Sequence, residues 1–390
     1  MSYGNKKRLC IIGCTGSVGS SVLSICRHFP DKFVVRSLAA RSNTKKISSL
    51  INEFQPSLVA LTDTEASNLL RSQYSDNGLK ILGGEKSLVE LVSDPEVDHV
   101  VIASAGTSSI PALINAMKND KEVSLANKES LVVAGQWLND QGNTLLNRIR
   151  PLDSEHNAIW QSLLHEEHDR IRMVYLTASG GPFRKLPLDQ FADITPEKAL
   201  RHPTWQMGAK ISIDSATLMN KGIEILEAIY LFNIPWNMLS AVIHPDSMIH
   251  GMVQFTDGTL KMVGGPPDMR IPAAICLSYP ERLDLKGLDL PVEHFSFNNL
   301  SFEEPDINRF PCLRLALEVA REQGPFPPIL IGADEVAVRA FLSGHISFMD
   351  IPEKIEKVLH SYNGPIPGGI EDARELVAWA GRKCSELCGY

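Results

Sequence analysis

The sequence lacks the features of a membrane-spanning or a disulfide-rich secreted protein. None of its apolar runs approaches the roughly 20 residues that a membrane-spanning helix needs. The basic N-terminal segment "MSYGNKKRLCIIGC" has an apolar part that is too short for a signal peptide. Seven cysteines, an odd number scattered along the chain, favour reduced thiols. We therefore expect a cytoplasmic protein that does not bind membranes.

Basic clusters are absent as well. Lysine and arginine together number 38 against 46 acidic residues, which gives a formal net charge of −8, and no Lys/Arg run stands out. A chain with this charge pattern is not expected to bind nucleic acid. Its 390 residues, 44% of them hydrophobic, are enough for two or three domains with large cores.

The first 150 or so residues alternate β-rich runs with segments of helical spacing, such as 45–54 and 110–119. Strands are predicted at 8–12, 33–38, 57–61, 99–103, 122–126 and 148–152. Strand and helix repeated in this way predict a parallel sheet that is covered by helices on both faces.

The pattern changes from residue 153 onward. Helices are predicted from the segment after 153 and over 218–232, and strands at 171–178, 239–244, 249–255 and 259–263. The sequence thus predicts an α/β protein with an N-terminal Rossmann-like parallel sheet, a central α+β domain and a C-terminal helical domain. The predicted bounds are 1–152 and 153–280 for the first two domains, 281–311 for an irregular linker and 312–390 for the helical domain.

A glycine-rich turn follows the first predicted strand. Gly13, Gly16 and Gly19 are spaced G-x-x-G-x-x-G and lead into a helix. Such a turn lets the backbone approach a pyrophosphate, and the helix N-terminus offers N–H groups to it. The alternative is a tight turn between strand and helix without a ligand.

The end of the second strand indicates which dinucleotide is bound. NAD sites usually have an acidic residue there for the ribose 2′-hydroxyl. The segment "LAARSNTKK" has none and instead offers Arg41, Ser42 and Asn43, with Lys45 or Lys46 nearby. NADPH is therefore favoured over NADH, unless Arg41 is simply a solvated cation.

Two carboxylates stand at the start of the central domain. Asp153 and Glu155 are two apart, so they point to the same side if the chain is extended there. Carboxylates without cysteine or clustered histidine suit Mg²⁺ or Mn²⁺. The alternative is helix capping, with Asp153 or Ser154 as the N-cap and Glu155 in the first turn. The local sequence does not decide between them.

Two further polar segments are open to a functional and an ordinary interpretation. In "LANKESL", Asn127, Lys128 and Glu129 follow a parallel strand at the edge where such sheets bind ligands. A capping asparagine and a surface Lys–Glu pair are the ordinary alternative.

In 214–224, helical spacing places Asn220, Lys221 and Glu224 on one face. A surface pair is again the alternative, although Gly222 in the helix indicates close approach of a ligand or of backbone.

Three loops complete the candidate site. Ser179 and the two glycines after it can form a backbone nest that binds an anion. The segment 201–210, with His202, Trp205, Met207 and Gly208, suits a mobile lid that excludes water, or else Trp205 anchors the loop to the core. His244 and His250 follow, and a lone histidine is usually packed or hydrogen-bonded rather than a ligand.

Taken in order, these segments resemble the 1-deoxy-D-xylulose 5-phosphate reductoisomerase family. The matching stretches are "GCTGSVG", "LANKESL", "PLDSEHNAIWQSL", "SGGPFR", "HPTWQMG", "KISIDSATLMNKGIE", "IHPDSMIHGMV", "PPDMRIP" and "FPCLRLALE". The resemblance implies a homodimer whose subunit has an NADPH domain, a catalytic and dimer-forming domain and a helical domain. It implies metal-dependent rearrangement of a phosphorylated ketose, with Mg²⁺, Mn²⁺ or Co²⁺, and reduction to 2-C-methyl-D-erythritol 4-phosphate in the non-mevalonate pathway.

The resemblance also implies roles for individual residues. The metal ligands are Asp153, Glu155 and Glu224. The substrate-binding residues are Lys128, Ser154, Glu155, Ser179, His202, Ser215, Asn220, Lys221 and Glu224, and the catalytic group adds His156, His250, Trp205 and Met207. The NADPH contacts are Gly13, Thr15, Gly16, Ser17, Val18, Asn127, Glu129 and Gly208, with Arg41, Ser42 and Asn43 at the 2′-phosphate.

Some positions depart from the common family pattern, and two other functions remain as alternatives. The loop at 41–43 differs from the frequent Gly-Lys-Asn, residue 104 is serine, and Asp334 replaces a frequent asparagine. One alternative is another NADP-linked oxidoreductase, such as a semialdehyde dehydrogenase, which needs a catalytic cysteine or a different set of acid and base residues. The other is a non-catalytic NADP-binding sensor, which needs no set of three carboxylates.

Overall fold

A computed structural model describes residues 6–74, 78–140, 146–202, 205, 207–290 and 300–390. The strands are β1 Lys7–Ile12, β2 Phe33–Ala40, β3 Leu58–Leu61, β4 Lys80–Gly83, β5 His99–Ile102, β6 Glu122–Leu125, β7 Ile149–Pro151, β8 Ile171–Ala178, β9 Leu239–Ile243, β10 Ile249–Phe255 and β11 Leu260–Gly264. The helices are α1 Ser17–His28, α2 Thr44–Phe54, α3 Thr64–Gln73, α4 Ser87–Val92, α5 Ile110–Lys118, α6 Lys128–Asp140, α7 Ser154–Leu163, α8 Pro196–Ala199, α9 Ala209–Thr217, α10 Met219–Phe232, α11 Arg270–Ser278, α12 Pro311–Glu322, α13 Phe326–Leu342, α14 Asp350–Ser361 and α15 Ile370–Cys388.

The chain forms two compact units. The first consists of Met1–Ser130, Gly142–Asn157 and Asp268–Leu290, and the second of Leu131–Gln141, Ala158–Pro267 and Pro291–Tyr390. These units divide the chain differently from the predicted domain bounds, which stay a prediction. No helix in the described part of the chain is both long and apolar enough to cross a membrane.

The first unit is built on a seven-stranded sheet with the order β4-β3-β2-β1-β5-β6-β7, in which all pairings are parallel. Its central strands read as apolar runs because both faces are covered. The predicted parallel sheet is therefore confirmed, and it contains one strand more than the sequence pattern predicts, β4.

Helix α11 belongs to the first unit. Ala273, Ala274 and Leu277 are part of the same buried core as Leu9 and Val22. Its C-terminal carbonyl groups accept hydrogen bonds from two cations, since Lys7 Nζ donates to Leu277 O over 2.8 Å and Arg150 Nη1 donates to Cys276 O over 2.9 Å. Cations at this end also complement the helix dipole.

The second unit combines a four-stranded sheet with helices. The strand order is β11-β10-β8-β9, where β8 and β9 are parallel and β10 is antiparallel to both of its neighbours. The C-terminal helices pack closely: a Cβ atom at Gly332 of α13 would overlap the carbonyl group of Val377 on α15. The predicted mixed α+β region and helical C-terminal region are confirmed. In the described residues between α11 and α12, regular structure is limited to an isolated bridge, in which Glu303 pairs with Ile243.

Candidate active site

The glycine turn has the strand–turn–helix geometry that a phosphate loop requires. Gly13 has a φ of +84°, and a Cβ atom there would lie 2.5 Å from the Ala103 carbonyl oxygen. A Cβ atom at Gly19 would overlap Gly13 O, so this glycine lets α1 pack against the turn. Gly16 is the N-cap of α1 and no side chain caps this end. The first N–H groups of α1 are thus suited to bind an anion.

The residues after β2 lie beside this turn. Gly13 and Cys14 donate backbone hydrogen bonds to Ala39 O, near the end of β2. Arg41, Ser42 and Asn43 follow and are exposed. The Asn43 side chain accepts from Lys46 N over 3.0 Å and thereby caps α2. The structure thus places the predicted 2′-phosphate residues at the same sheet edge as the glycine turn.

Asn127 organises the adjacent loops. Its Nδ2 donates to Ser104 O over 2.6 Å and to Gly106 O over 2.7 Å, and its Oδ1 accepts from Ser130 N over 2.7 Å. The capping role is confirmed, because Ser130 lies in the first turn of α6. A buried amide with these partners also fixes the loop after β5 against the loop after β6.

Lys128 is not part of a surface pair. Its side chain is buried, and Nζ donates to Asp153 Oδ2 over 2.9 Å. Asp153 Oδ1 accepts from Glu155 N over 3.2 Å and lies 3.3 Å from Nδ1 of His156, which is buried as well. Asp153 therefore caps α7 and at the same time accepts a hydrogen bond from the Lys128 ammonium. The Ser154 hydroxyl donates to the Glu155 carboxylate.

In the second unit, Ser179 is oriented by two donors. Trp205 N donates to His202 Nδ1 over 2.9 Å, so in the neutral ring Nε2 carries the hydrogen and donates to Ser179 Oγ, 3.1 Å away. Gly181 N donates to the same Oγ over 3.2 Å. Burial lowers the pKa of His202 to about 4, which keeps the ring neutral at pH 7. The Ser179 hydroxyl hydrogen is left to point at another acceptor, such as a phosphate oxygen.

The loop after β8 lies against a corner between two helices. Gly180 and Gly181 have φ values of +85° and +68°, and a Cβ atom at Gly181 would lie 2.6 Å from Ser215 O. Helix α9 ends at Thr217, and Leu218, whose φ is +61°, forms the corner before α10 begins at Met219. The structure therefore brings the Ser179 loop and Ser215 together, with Asn220 and Lys221 in the first turn after the corner.

Lys221 and Glu224 form a buried pair within α10. Their side chains are 3% and 1% exposed, and both the Lys221 ammonium and the Asn220 amide donate to the Glu224 carboxylate. The surface-pair interpretation is wrong here. Buried ion pairs add little to stability after desolvation, so this pair indicates a functional site. The close approach that Gly222 allows is that of α12, because a Cβ atom there would overlap Cβ of Ala316.

Trp205 and His250 are neighbours, with ring centroids 6.5 Å apart. His250 Nε2 lies 3.1 Å from Gly265 O and is therefore held by the backbone. Met207 and Gly208 precede α9, whereas residues 203, 204 and 206 of the predicted lid lie outside the described residues. Motion of the lid stays a prediction.

One polar cluster was not anticipated from the sequence. Lys210 Nζ lies 2.6 Å from Asp214 Oδ2 and 2.7 Å from Asp334 Oδ2, and both carboxylates are buried. The i,i+4 spacing of Lys210 and Asp214 was a visible signal. Asp334 lies on α13, and its contact with Lys210 depends on tertiary packing, which local spacing does not reveal.

Three family models match the chain. One described as "1-deoxy-D-xylulose 5-phosphate reductoisomerase" matches residues 9–135, and one for the C-terminal domain of the same enzyme matches 149–232. A third, described as "DXP reductoisomerase C-terminal domain", matches 265–383.

Curated relatives and solved structures agree with these models. The 1-deoxy-D-xylulose 5-phosphate reductoisomerase of Prosthecochloris aestuarii is 42% identical over 98% of this chain and 99% of its own, and that of Moorella thermoacetica is 42% identical over 98% of each chain. The Zymomonas mobilis enzyme in complex with NADPH is 36% identical, with a TM-score of 0.89 over 98% of this chain and 99% of that chain. A DOX-P reductoisomerase in complex with NADPH, fosmidomycin and magnesium is 34% identical, with a TM-score of 0.89 over 98% of both chains. The chain therefore belongs to the 1-deoxy-D-xylulose 5-phosphate reductoisomerase family.

Proposed function

We propose that the protein catalyses the NADPH- and divalent-metal-dependent rearrangement and reduction of 1-deoxy-D-xylulose 5-phosphate to 2-C-methyl-D-erythritol 4-phosphate, a step of non-mevalonate isoprenoid precursor biosynthesis. The observation that carries this proposal is the similarity to enzymes of that name over nearly the whole chain. A chain of the same fold binds NADPH, fosmidomycin and magnesium together, which supports both cofactors.

NADPH binds at the glycine turn of the first unit. The proposed contacts are Gly13, Thr15, Gly16, Ser17 and Val18 at the turn, Arg41, Ser42 and Asn43 at the 2′-phosphate, and Asn127, Glu129 and Gly208. The uncapped N-terminus of α1 supports this assignment, because its N–H groups and dipole favour a pyrophosphate. Beside its proposed contact with NADPH, Asn127 shapes the site, because its side chain holds two loops.

The divalent ion is bound by Asp153, Glu155 and Glu224. All three offer carboxylate oxygens, the donors that Mg²⁺ and Mn²⁺ prefer, and Co²⁺ is also accepted. When bound, the ion polarises the substrate carbonyl and stabilises negative charge on the neighbouring oxygens. Lys128 orients Asp153 through their hydrogen bond. Its ammonium also adds positive charge where oxyanion character develops.

The substrate phosphate binds to the second unit. Ser179, Ser215, Asn220 and Lys221 supply hydroxyl, amide and ammonium donors, and His202 orients Ser179. Support comes from the two N–H donors that converge on Ser179 Oγ, which direct the hydroxyl hydrogen elsewhere. Trp205 and Met207 form part of a lid that keeps water from the aldehyde intermediate. Ser154, His156 and His250 support the reacting part of the substrate.

A cysteine-dependent dehydrogenase is disfavoured. Such an enzyme needs an accessible thiolate, whereas all seven cysteines are free and buried. Burial raises the pKa of Cys14, next to the glycine turn, to about 12. A thiol with this pKa is protonated at pH 7 and is a poor nucleophile.

The direct test is consumption of NADPH with 1-deoxy-D-xylulose 5-phosphate in the presence of Mg²⁺, Mn²⁺ or Co²⁺. We expect turnover that stops when a chelator is added and resumes when the metal is restored. Absence of turnover with all three metals would overturn the proposed function. We further propose that the protein is a cytoplasmic homodimer, and light scattering on the purified protein tests the dimer.

A further inference from the structure

Lys46 makes contacts that the site residues above do not explain. It lies in the first turn of α2, and its Nζ donates to Thr15 O over 2.8 Å and to Ser20 Oγ over 3.0 Å. Ser20 Oγ in turn donates to Gly16 O over 2.7 Å. One ammonium therefore holds the glycine turn directly and through a hydroxyl group.

The surroundings of this ammonium suit an anion. Neither α1 nor α2 has an acidic residue in its first turn. Arg41 is exposed at the end of β2, which pairs with β1 directly before the glycine turn. Two helix N-termini, a guanidinium group and an ammonium group thus lie at one edge of the sheet. Their summed charge and dipoles favour a phosphate group.

If Lys46 served only to hold the glycine turn in place, its charge and its exposure would not be explained. A neutral donor would hold Thr15 O and Ser20 Oγ equally well, without an exposed charge. The lysine ammonium has three N–H donors, and within the described ranges the structure assigns two of them to protein acceptors. The third is available to a ligand, because the residue is exposed.

We propose that Lys46 determines the nucleotide preference, by recognising with its ammonium the 2′-phosphate that distinguishes NADPH from NADH. This inference rests on the proposed function and deepens it. Asn43 already uses its side-chain oxygen to cap α2. Lys46, in contrast, is a cation whose position is fixed against the turn that receives the pyrophosphate. Its contacts therefore connect recognition of the 2′-phosphate to the conformation of the turn.

The test compares K46M and K46R with the neighbouring control K45M, which removes an exposed charge of the same helix turn. NADPH and NADH binding are measured by titration calorimetry on the folded proteins without substrate, so the result does not depend on turnover. For K46M we expect a loss of NADPH affinity of roughly 10- to 100-fold, the range for a hydrogen bond to a charged group, while NADH affinity is unchanged. K46R should keep most of the preference, and K45M should resemble the wild type.

Two results would overturn the proposal. Equal losses of NADPH and NADH affinity in K46M would show that Lys46 is only a tether for the turn. Unchanged affinity for both nucleotides would show that it has no role in binding. The salt dependence of NADPH binding is a second readout: it should become weaker in K46M, since one phosphate contact is lost, and a merely structural role would leave it unchanged. Failure of the proposed function would appear separately, as absence of wild-type turnover.

Discussion

Lys128 and Asp153, which are 25 residues apart in the chain, form a hydrogen-bonded ion pair of 2.9 Å with side-chain exposures of 5% and 14%. Asp153 also caps the helix that follows it and lies against His156. A carboxylate with three partners has little freedom to rotate. This arrangement holds a proposed metal ligand in place before any ion binds.

Replacement of Lys128 by methionine tests this pair. The variant K128M keeps most of the side-chain volume but loses the charge that orients Asp153 and stabilises a developing oxyanion. We expect kcat to fall by roughly 10²- to 10³-fold, the usual effect of losing one such donor, while NADPH affinity is unchanged. Steady-state kinetics and calorimetry measure the two quantities. The matched control is K86M at an exposed lysine, and equal effects in both variants would refute the assignment.

The substitution Glu224→Gln distinguishes a metal-binding role of Glu224 from a structural role. Glutamine keeps the shape and one acceptor oxygen for Asn220 and Lys221, but it removes the negative charge. We expect most of the activity to be lost and a higher metal concentration to be needed for half-maximal activity, since carboxylate charge sets the affinity for hard cations. NADPH binding should survive. A misfolded variant, as judged by circular dichroism, would instead indicate a structural role.

The fold was largely predictable, but the partners of the site residues were not. The alternation of strands and helices indicates the parallel sheet because each buried strand is short, apolar and bounded by turn residues. The glycine turn is recognisable because φ at Gly13 excludes most other residues. In contrast, α11 packs in the core of the first unit with residues such as Leu9, more than 250 positions earlier. A periodic pattern shows which face of a helix is buried, but not what covers it.

The candidate site shows the same limit. Helical spacing correctly groups Asn220, Lys221 and Glu224, yet it does not distinguish an exposed pair from the buried one. The sequence also does not reveal the contact of Asp153 with Lys128, and the role of Asp153 as a metal ligand stays a proposal. That contact depends on the neighbouring positions of β6 and β7 in the sheet, which is a tertiary property. Sequence spacing therefore predicts faces, and tertiary structure determines burial and charge partners.

His202 predicts a pH dependence of stability. Its pKa falls from the ordinary value of 6.5 to about 4 in the folded protein, because burial disfavours the charged ring. The unfolded chain therefore binds more protons between these two values, and the stability contributed by the neutral ring is lost as the pH falls from 6.5 toward 4. Urea unfolding of wild type and H202N at several pH values should show a weaker pH dependence in the variant. Parallel curves would contradict this prediction.

Lys210 on α9 pairs with two carboxylates, so substitutions of these three residues are expected to have non-additive effects on stability. Lys210 lies between the buried carboxylates of Asp214 and Asp334. Removal of the cation in K210M leaves two buried carboxylates together, and we expect the free energy of unfolding to fall by about 3–5 kcal/mol. The double variant K210M/D334N should recover part of this loss, because one of the two charges is removed. Additive losses in urea unfolding would show that the three groups are not coupled.

Gly222 predicts an unusual response to alanine. Alanine inside a helix normally stabilises it by about 1 kcal/mol relative to glycine. At Gly222, however, the added Cβ atom would overlap Cβ of Ala316, so α10 and α12 must move apart. We expect G222A to lower the free energy of unfolding by about 1–3 kcal/mol, the range for overpacking. The compensating variant G222A/A316G exchanges the two residues across the contact and should recover stability in thermal unfolding. If G222A alone is as stable as the wild type, the two helices are not in the close contact that the structure shows.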